Sequence, residues 1–395
     1  MYQLPSPFSA GSAPSKYSAR QHGGEPTTSS RRPRRRFVAI AADLGAAALA
    51  FTAVLILTQP HPATLTVRQI ASFTDPATQG VGSVVFSRDG KILASADENG
   101  RTYLRDTATA RLVATLTDPG RNGNGVGASA AFSPSGATLA TSDGNDSTFL
   151  WDIATGRRIT TLTDPGRQDV TSVAFSPDGT ILATGDENDS IYLWDVVAGR
   201  RIARLADPAG AADEGMGVTA VAFSPDGTTL AAGDGDGDVY LWNVATGRLI
   251  ATLIDPEGGW NDMYITSVAF SPDGKDVAAG DSGGYAYVWH QDAKQPDVSV
   301  ANPGSMALNY SSPGDDDSPG SGNDLVYVAF SPDGTLVAAD YFGADICWWH
   351  GASLFATVTD NSEWISALAL SPDGRTLAVG GNYQGNQSLV MWKVS

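Results

Sequence analysis

Cysteine is almost missing: Cys347 stands alone in a chain of 395 residues. One thiol makes no intrachain disulfide, and with four histidines in all it leaves no Cys/His zinc set and no haem attachment. Basic residues are scarce as well, 25 Lys and Arg against 43 Asp and Glu, and they are unevenly spread. Residues 1–36 hold seven of them and one acid, Glu25, a net of +6; with the whole chain at −18, the remainder carries −24. A body that acidic repels phosphate backbones, which disfavours nucleic acid as a partner. The sequence signatures of metalloprotease and kinase catalysis are missing too: there is no HExxH, HRD or DFG. No catalytic residue, cofactor segment or metal site is therefore assigned.

Long apolar runs are equally few, and the one present is informative. Phe37 to Thr58 is a stretch of 22 residues with one charge, Asp43, directly after the basic run RRPRRR. At a helical rise it spans a hydrocarbon core of roughly 30 Å. Arginines on its N-terminal side, and Pro60 and Pro62 after it, predict a signal anchor by the positive-inside rule. Residues 1–36 are then a disordered, basic cytoplasmic tail, 37–58 a single transmembrane helix, and 59–395 an exported domain. Arg34, Arg35, Phe37 and Val38 also fit a twin-arginine export pattern, with cleavage near Ala48 or Ala50. Cleavage there would leave the apolar FTAVLILT as a new terminus, and the span exceeds the usual signal core, so the anchor is the favoured reading. Both readings place the domain at the cell membrane or beyond it, extracytoplasmic.

What the rest of the chain has in abundance is repetition. An apolar anchor followed by a Ser-Pro-Asp-Gly-like turn recurs at Phe86, Phe132, Phe175, Phe223, Phe270, Phe330 and Leu370, spaced 40 to 60 residues apart. Nineteen residues beyond the first six anchors lie Arg105, Trp151, Trp194, Trp242, Trp289 and Trp349. The intervening stretches, such as VTSVAFS, TILATGD and SIYLWDV, alternate apolar with polar or small residues between Gly, Asp and Pro turns, so each is a strand. A fourth strand, as in RRITTLTDP, follows each of the first four units, with weaker copies at 297–303 and 353–361. The seventh unit lacks its own, and a spare copy, Arg68 to Pro76, precedes the first. Such periods predict an all-β, seven-bladed propeller of four-stranded blades, closed by the N-terminal strand, with Ile70 and Phe73 of that strand buried.

Quoted whole, VTSVAFSPDGTILATGDENDSIYLWDVVAGR resembles the WD-repeat (WD40) family of seven-bladed propellers. More particularly, it is similar to the Asp-Pro-rich propellers of actinobacterial membrane-anchored proteins and kinase ectodomains, over residues 64 to 395. The resemblance implies a propeller that binds partners; the kinase half of those relatives is missing. The Trp-Asp pair survives at Trp151-Asp152 and Trp194-Asp195, and the family's Gly-His dipeptide is absent throughout. The network linking that His to a turn Asp therefore cannot form in the family's way, and other turn groups must satisfy the backbone donors. His290 and His350 occupy one repeat position, directly after a strand Trp, which is a place in blade architecture and not a shared active site.

The acidic turns DGDGDV, DENDS and DGNDS look like calcium loops. Each begins 11 residues after an anchor, however, where Asp, Asn and Gly are ordinary turn formers, and the Asp234 run has Val239 and Ala245 where an EF-hand has Gly and Glu. Recognition is expected instead on the face carrying the inter-blade loops, whose lengths vary from 10 to 27 residues while the other turns stay constant. Those loops hold Trp260, Met263, Tyr264 and Trp364 among acids that include Asp324 and the run Asp315, Asp316 and Asp317. Six residues before each anchor, Gly80, Val126, Asp169, Gly217, Tyr264, Asp324 and Trp364 should ring the mouth of a central channel, neutral on one side and acidic and aromatic across blades five to seven. The function expected is a membrane-tethered, non-catalytic scaffold, monomeric as a propeller, binding a protein, peptide or cell-envelope glycan on that face. The competing class is an extracytoplasmic hydrolase or lyase built from carboxylates on the same face.

Overall fold

The computed structural model describes residues 65–74, 80–119, 128–142, 146–166, 168–206, 217–254, 263–291, 298–301, 325–340, 345–351, 353–359, 364–383 and 386–395. The basic tail and the Phe37 to Thr58 span lie outside them. Among the described residues there is no helix, and so none long and apolar enough to cross a membrane.

Twenty-eight strands form seven antiparallel four-stranded sheets. After β1 (Val67–Thr74), blade one is β2 (Val81–Phe86), β3 (Ile92–Asp97), β4 (Arg101–Asp106) and β5 (Leu112–Thr117). Blade two is β6 (Ala130–Phe132), β7 (Thr138–Ser142), β8 (Ser147–Asp152) and β9 (Arg157–Thr163); blade three is β10 (Val170–Phe175), β11 (Ile181–Asp186), β12 (Ser190–Asp195) and β13 (Arg200–Ala206). Blade four is β14 (Val218–Phe223), β15 (Thr229–Asp234), β16 (Val239–Asn243) and β17 (Arg248–Leu253); blade five is β18 (Ile265–Phe270), β19 (Asp276–Asp281), β20 (Tyr285–His290) and β21 (Val298–Ala301). Blade six is β22 (Val326–Phe330), β23 (Leu336–Asp340), β24 (Asp345–His350) and β25 (Ser353–Thr359). The seventh blade has β26 (Trp364–Leu370), β27 (Thr376–Tyr383) and β28 (Asn386–Val394), and its outer strand is β1, paired from Val67 with Val394 to Thr74 with Ser388. Each inner strand packs against the next, and β26 packs against β2, so the ring closes.

The apolar core of such a ring lies between sheets. Buried side chains gather into seven clusters, one at each blade boundary; that between blades three and four joins Leu193 and Leu205 to Val218, Leu230 and Trp242. Both faces of every blade are covered, which is why the second strands read as unbroken apolar or small runs, with Leu182, Ala183, Leu230 and Ala231 fully buried. Small residues there also set how near the blades come: a methyl added at Gly280 would run into the Val326 carbonyl of the next blade. Serines stitch the inner strands together. Ser83, Ser129, Ser172 and Ser267 each accept, at 2.9 to 3.3 Å, a backbone N–H of the following blade, from Ala130, Val173, Val221 and Val328. Ser366 donates to the Val81 carbonyl at 2.6 Å across the closing seam.

The same seam holds one correction. Ile70, expected to be buried, is 41 % exposed, whereas Phe73 packs inward. Ile70 and Phe73 lie three residues apart, so an alternating strand turns them to opposite faces, and Ile70 is the residue skipped where the register shifts between Gln69 and Ala71. Phe73 in turn lies beneath Arg105, whose guanidinium is 4.7 Å from the ring centroid. Arg105, the one departure from Trp at its repeat position in the first six units, is thus buried over the closing strand and donates to Ser95 at 3.2 Å.

Candidate functional site

Backbone hydrogen bonds define the two faces of the ring. On one, Glu98, Ser142, Glu187, Gly235 and Ser282 donate their N–H to Gly80, Ser129, Asp169, Gly217 and Tyr264, tying the turn after each second strand to the entry of the inner strand. On the other, Thr107, Ile153, Val196, Val244 and Gln291 bond back to Lys91, Ala137, Thr180, Thr228 and Lys275, tying the Ser-Pro-Asp-Gly turns to the turns before the outer strands.

That second face is constant because its turn is self-sufficient. In blade three the Ser176 hydroxyl donates to Asp178 Oδ1 at 2.6 Å and accepts the Ile181 N–H at 3.0 Å, while Gly179 N–H closes the turn onto the Ser176 carbonyl. Gly179, at φ 74°, takes the left-handed conformation that the turn demands. Blades one, four, five, six and seven repeat the Ser-to-Asp bond. The serine hydroxyls hold Asp89, Asp178, Asp226, Asp333 and Asp373 below the usual carboxylate range. In blade five the Lys275 ammonium adds to the Ser271 hydroxyl and takes Asp273 down to about 2.

The first face carries the residues singled out for recognition. Gly80, Asp169, Gly217 and Tyr264 stand just before inner strands and Trp364 opens one, all at the same register. Tyr264 and Trp364 are half-buried. Tyr264 is fixed by two bonds with Ser282, its N–H to the hydroxyl at 3.0 Å and its carbonyl to the N–H at 2.9 Å. Met263 is buried, its thioether against Gly283 and its backbone carbonyl against Gly237, so it packs two neighbouring turns together beneath Tyr264. Trp260, Val126, Asp324 and Asp315 to Asp317 lie outside the described residues. One expectation needs correcting: the side from blade one to blade four is not neutral. The Glu98 carboxylate reaches over Gly80, and the Glu187 carboxyl lies within the field of Asp169. Burial first, and then the negative charge of Asp169, raise Glu187 above its ordinary value. The sequence signal was available, since Glu98 and Glu187 both directly follow a turn Asp.

The first shared feature of those turns is a carboxylate doing the work of two caps. Asp97, Asp186, Asp234 and Asp281 each accept, on Oδ1, the backbone N–H groups two and four residues on, at 2.8 to 3.1 Å. This answers where the backbone donors go without a Gly-His dipeptide, and it gives the acidic turns an architectural role. His290 and His350 are exposed at the ends of β20 and β24, on the opposite face.

Comparison with known families agrees with this arrangement. The WD domain, G-beta repeat, matches residues 67–106, 156–195 and 352–393, and the Vps8 beta-propeller matches residues 207–294. These matches and the seven-bladed ring support a WD-repeat propeller. Each matched WD repeat begins at the outer strand of one blade and runs through the first three of the next, so that repeat and blade are offset by one strand and successive blades interlock. No curated protein matches the chain. A WD-repeat propeller is in general a protein-interaction scaffold, typically without catalytic activity.

The strand tryptophans of this WD-repeat chain divide into two groups. Trp151 and Trp194 donate their indole N–H to Thr141 and Thr184, at 2.9 and 3.0 Å, and Thr141 donates onward to the buried Asp118. In blades four to seven the facing positions are Ala232, Ala279, Ala338 and Val379, and among the described residues Trp242, Trp289, Trp349 and Trp392 meet no acceptor for a buried N–H.

Proposed function

We propose that the protein is a non-catalytic scaffold, tethered at the cell membrane by Phe37 to Thr58 with its propeller extracytoplasmic, and that it binds a basic segment of a protein, peptide or cell-envelope partner. The face of inter-blade loops is the binding surface. The observation that carries this reading is the Glu187 and Asp169 pair at the ring of inner-strand entries, where like charge and burial already disfavour ionisation of Glu187. An incoming cation relieves that repulsion, which makes the site selective for basic groups and salt-sensitive. Tyr264 and Trp364, half-buried on rigid strand entries, offer contact area at little entropic cost. Trp260, Asp324 and Asp315 to Asp317 add aromatic and acidic groups on the same loops by sequence position.

The test is capture of partners from solubilised membranes by the full chain and by Trp364→Ala. The substitution is expected to weaken binding by roughly 2 kcal/mol or more while the melting temperature stays unchanged. A sharp fall in melting temperature with binding intact would make Trp364 blade packing and remove the proposed surface. Neutralising Asp315, Asp316 and Asp317 together is expected to slow association more than it speeds dissociation.

A further inference from the structure

We propose that Asp164 and Asp186 form a proton-sharing clasp across the boundary between blades two and three, which holds that boundary while the pair carries one proton and loosens it once both carboxyls ionise. Asp164 directly follows the outer strand of blade two, and Asp186 ends the second strand of blade three. They are 2 % and 1 % exposed. One oxygen of each is committed to backbone: Asp164 Oδ1 accepts the Gly166 N–H at 2.6 Å, and Asp186 Oδ1 accepts those of Asn188 and Ser190 at 2.9 and 2.8 Å. The other oxygens, both Oδ2, are buried and meet no donor among the described residues. The groups converge: a methyl at Gly166 would lie 3.2 Å from Asp164 Oδ1, 3.6 Å from Asp186 Oδ2 and 3.5 Å from the Tyr192 hydroxyl.

Two carboxylates in contact bond only if something positive lies between them, and among the described residues no cation reaches the pair. Arg204 is turned to the Ser190 hydroxyl at 2.8 Å, and Arg201 lies over the Tyr192 ring at 5.5 Å. Asp146 offers only its carbonyl, to the Asp164 N–H at 2.6 Å. Glu187 and Asp169, adjoining along the chain, add further negative charge. The pair itself can supply that positive charge as a proton, an O–H on one carboxyl donated to the other. The electrostatics agree: burial first, with the hydrogen bond and charge of Asp164, pushes the Asp186 carboxyl up to about 7 against the pull of the Ser190 and Asn188 N–H groups. As pH rises the shared O–H loses its proton to water, no other bond changes, and two anions face each other out of solvent.

The sign follows from linkage. A folded value above the unfolded 3.8 means that the proton-linked stabilisation is complete below the unfolded value and is lost as pH rises through about 7. Sequence places the same two aspartates in four other blades, at Asp75 and Asp97, Asp118 and Asp143, Asp207 and Asp234, and Asp255 and Asp281, with one member of each outside the described residues.

The test is the melting temperature of the full chain between about pH 6 and pH 8, for the natural protein, Asp164→Asn and Asp186→Asn, with the infrared carbonyl band of protonated carboxyl followed alongside. Either amide supplies the missing donor permanently. Each variant is expected to flatten the fall in melting temperature that the natural protein shows across this range and to remove part of the protonated-carboxyl band. Parallel pH profiles in all three proteins, or a band absent from the natural protein at about pH 6, would overturn the proposal. Should a variant fail to fold, the band in the natural protein still decides. Restoration of the natural protein's high-pH stability by calcium, absent in Asp164→Asn, would show that the pair holds a cation and would equally overturn it.

Discussion

Trp242, Trp289, Trp349 and Trp392 each bury an indole N–H opposite a residue that cannot accept it, while Thr141 and Thr184 satisfy the same group in blades two and three. The two satisfied blades show that the site accommodates a threonine. Ala232→Thr is therefore expected to stabilise the propeller by about 1 kcal/mol, the net worth of one buried hydrogen bond, seen as a raised denaturation midpoint. Thr184→Ala should do the reverse, by about 1 to 3 kcal/mol, because it orphans the Trp194 N–H. If Ala232→Thr lowers the midpoint, blade four is packed more tightly than its siblings and the repeat analogy fails there.

The element that decides closure is β1. It supplies the outer strand of a blade whose other three strands come from the far end of the chain, and Thr66 and Ser395 exchange backbone bonds at 2.7 and 3.0 Å where the two meet. A chain beginning at residue 77 leaves β28 as an open edge and strips Phe73 from beneath Arg105, which then keeps the Tyr103 ring at 5.4 Å. Compared with a chain beginning at residue 62, it is expected to melt at a clearly lower temperature and to exchange its β28 amides faster. Equal melting temperatures would mean that β1 is dispensable for closing the ring. Ile70 contributes little to this difference, since it faces outward. So do Val113, Ile159, Ile202 and Ile250 at the matching place in other outer strands, all more than half exposed.

In blade three the two ends of the sheet titrate in opposite directions, Asp178 held low and Asp186 and Glu187 raised. The Ser-Pro-Asp-Gly face keeps its aspartates ionised: their folded values lie below 3.8, so the stability they add is present above that value and is lost as pH falls through the depressed ones, about 2 for Asp273. The opposite face holds Asp186 and Glu187, both raised, and it takes up protons first on acidification. Stability against pH should therefore pass through a maximum near the unfolded carboxylate value, declining as pH falls into strong acid and again as pH rises from about 4 through about 7, with this second limb the one sensitive to Asp164→Asn. The tethered arrangement we propose adds a further expectation: protease applied to intact spheroplasts should degrade the propeller and spare residues 1–36. Protection of the propeller would sink the exported topology.

Blade number, strand order and the seam at β1 were legible in the sequence because period, turn residues and alternation are local properties that survive without knowledge of neighbours. Phe86 through Leu370 set the period, and the spare copy at Arg68 to Pro76 has only one vacancy to fill. The constancy of the Ser-Pro-Asp-Gly face was equally local, since each turn satisfies its own donors. What the tertiary structure alone decided lies between blades. The Glu98 carboxylate came to stand over Gly80 and Glu187 came near Asp169, making acidic a side of the ring that reads as neutral along the chain. Asp164 and Asp186, each an ordinary turn residue in its own repeat, became a buried pair only when one blade was set against the next. Such pairings join the end of one repeat to the middle of another, and the distance that makes them chemistry is created by closing the ring.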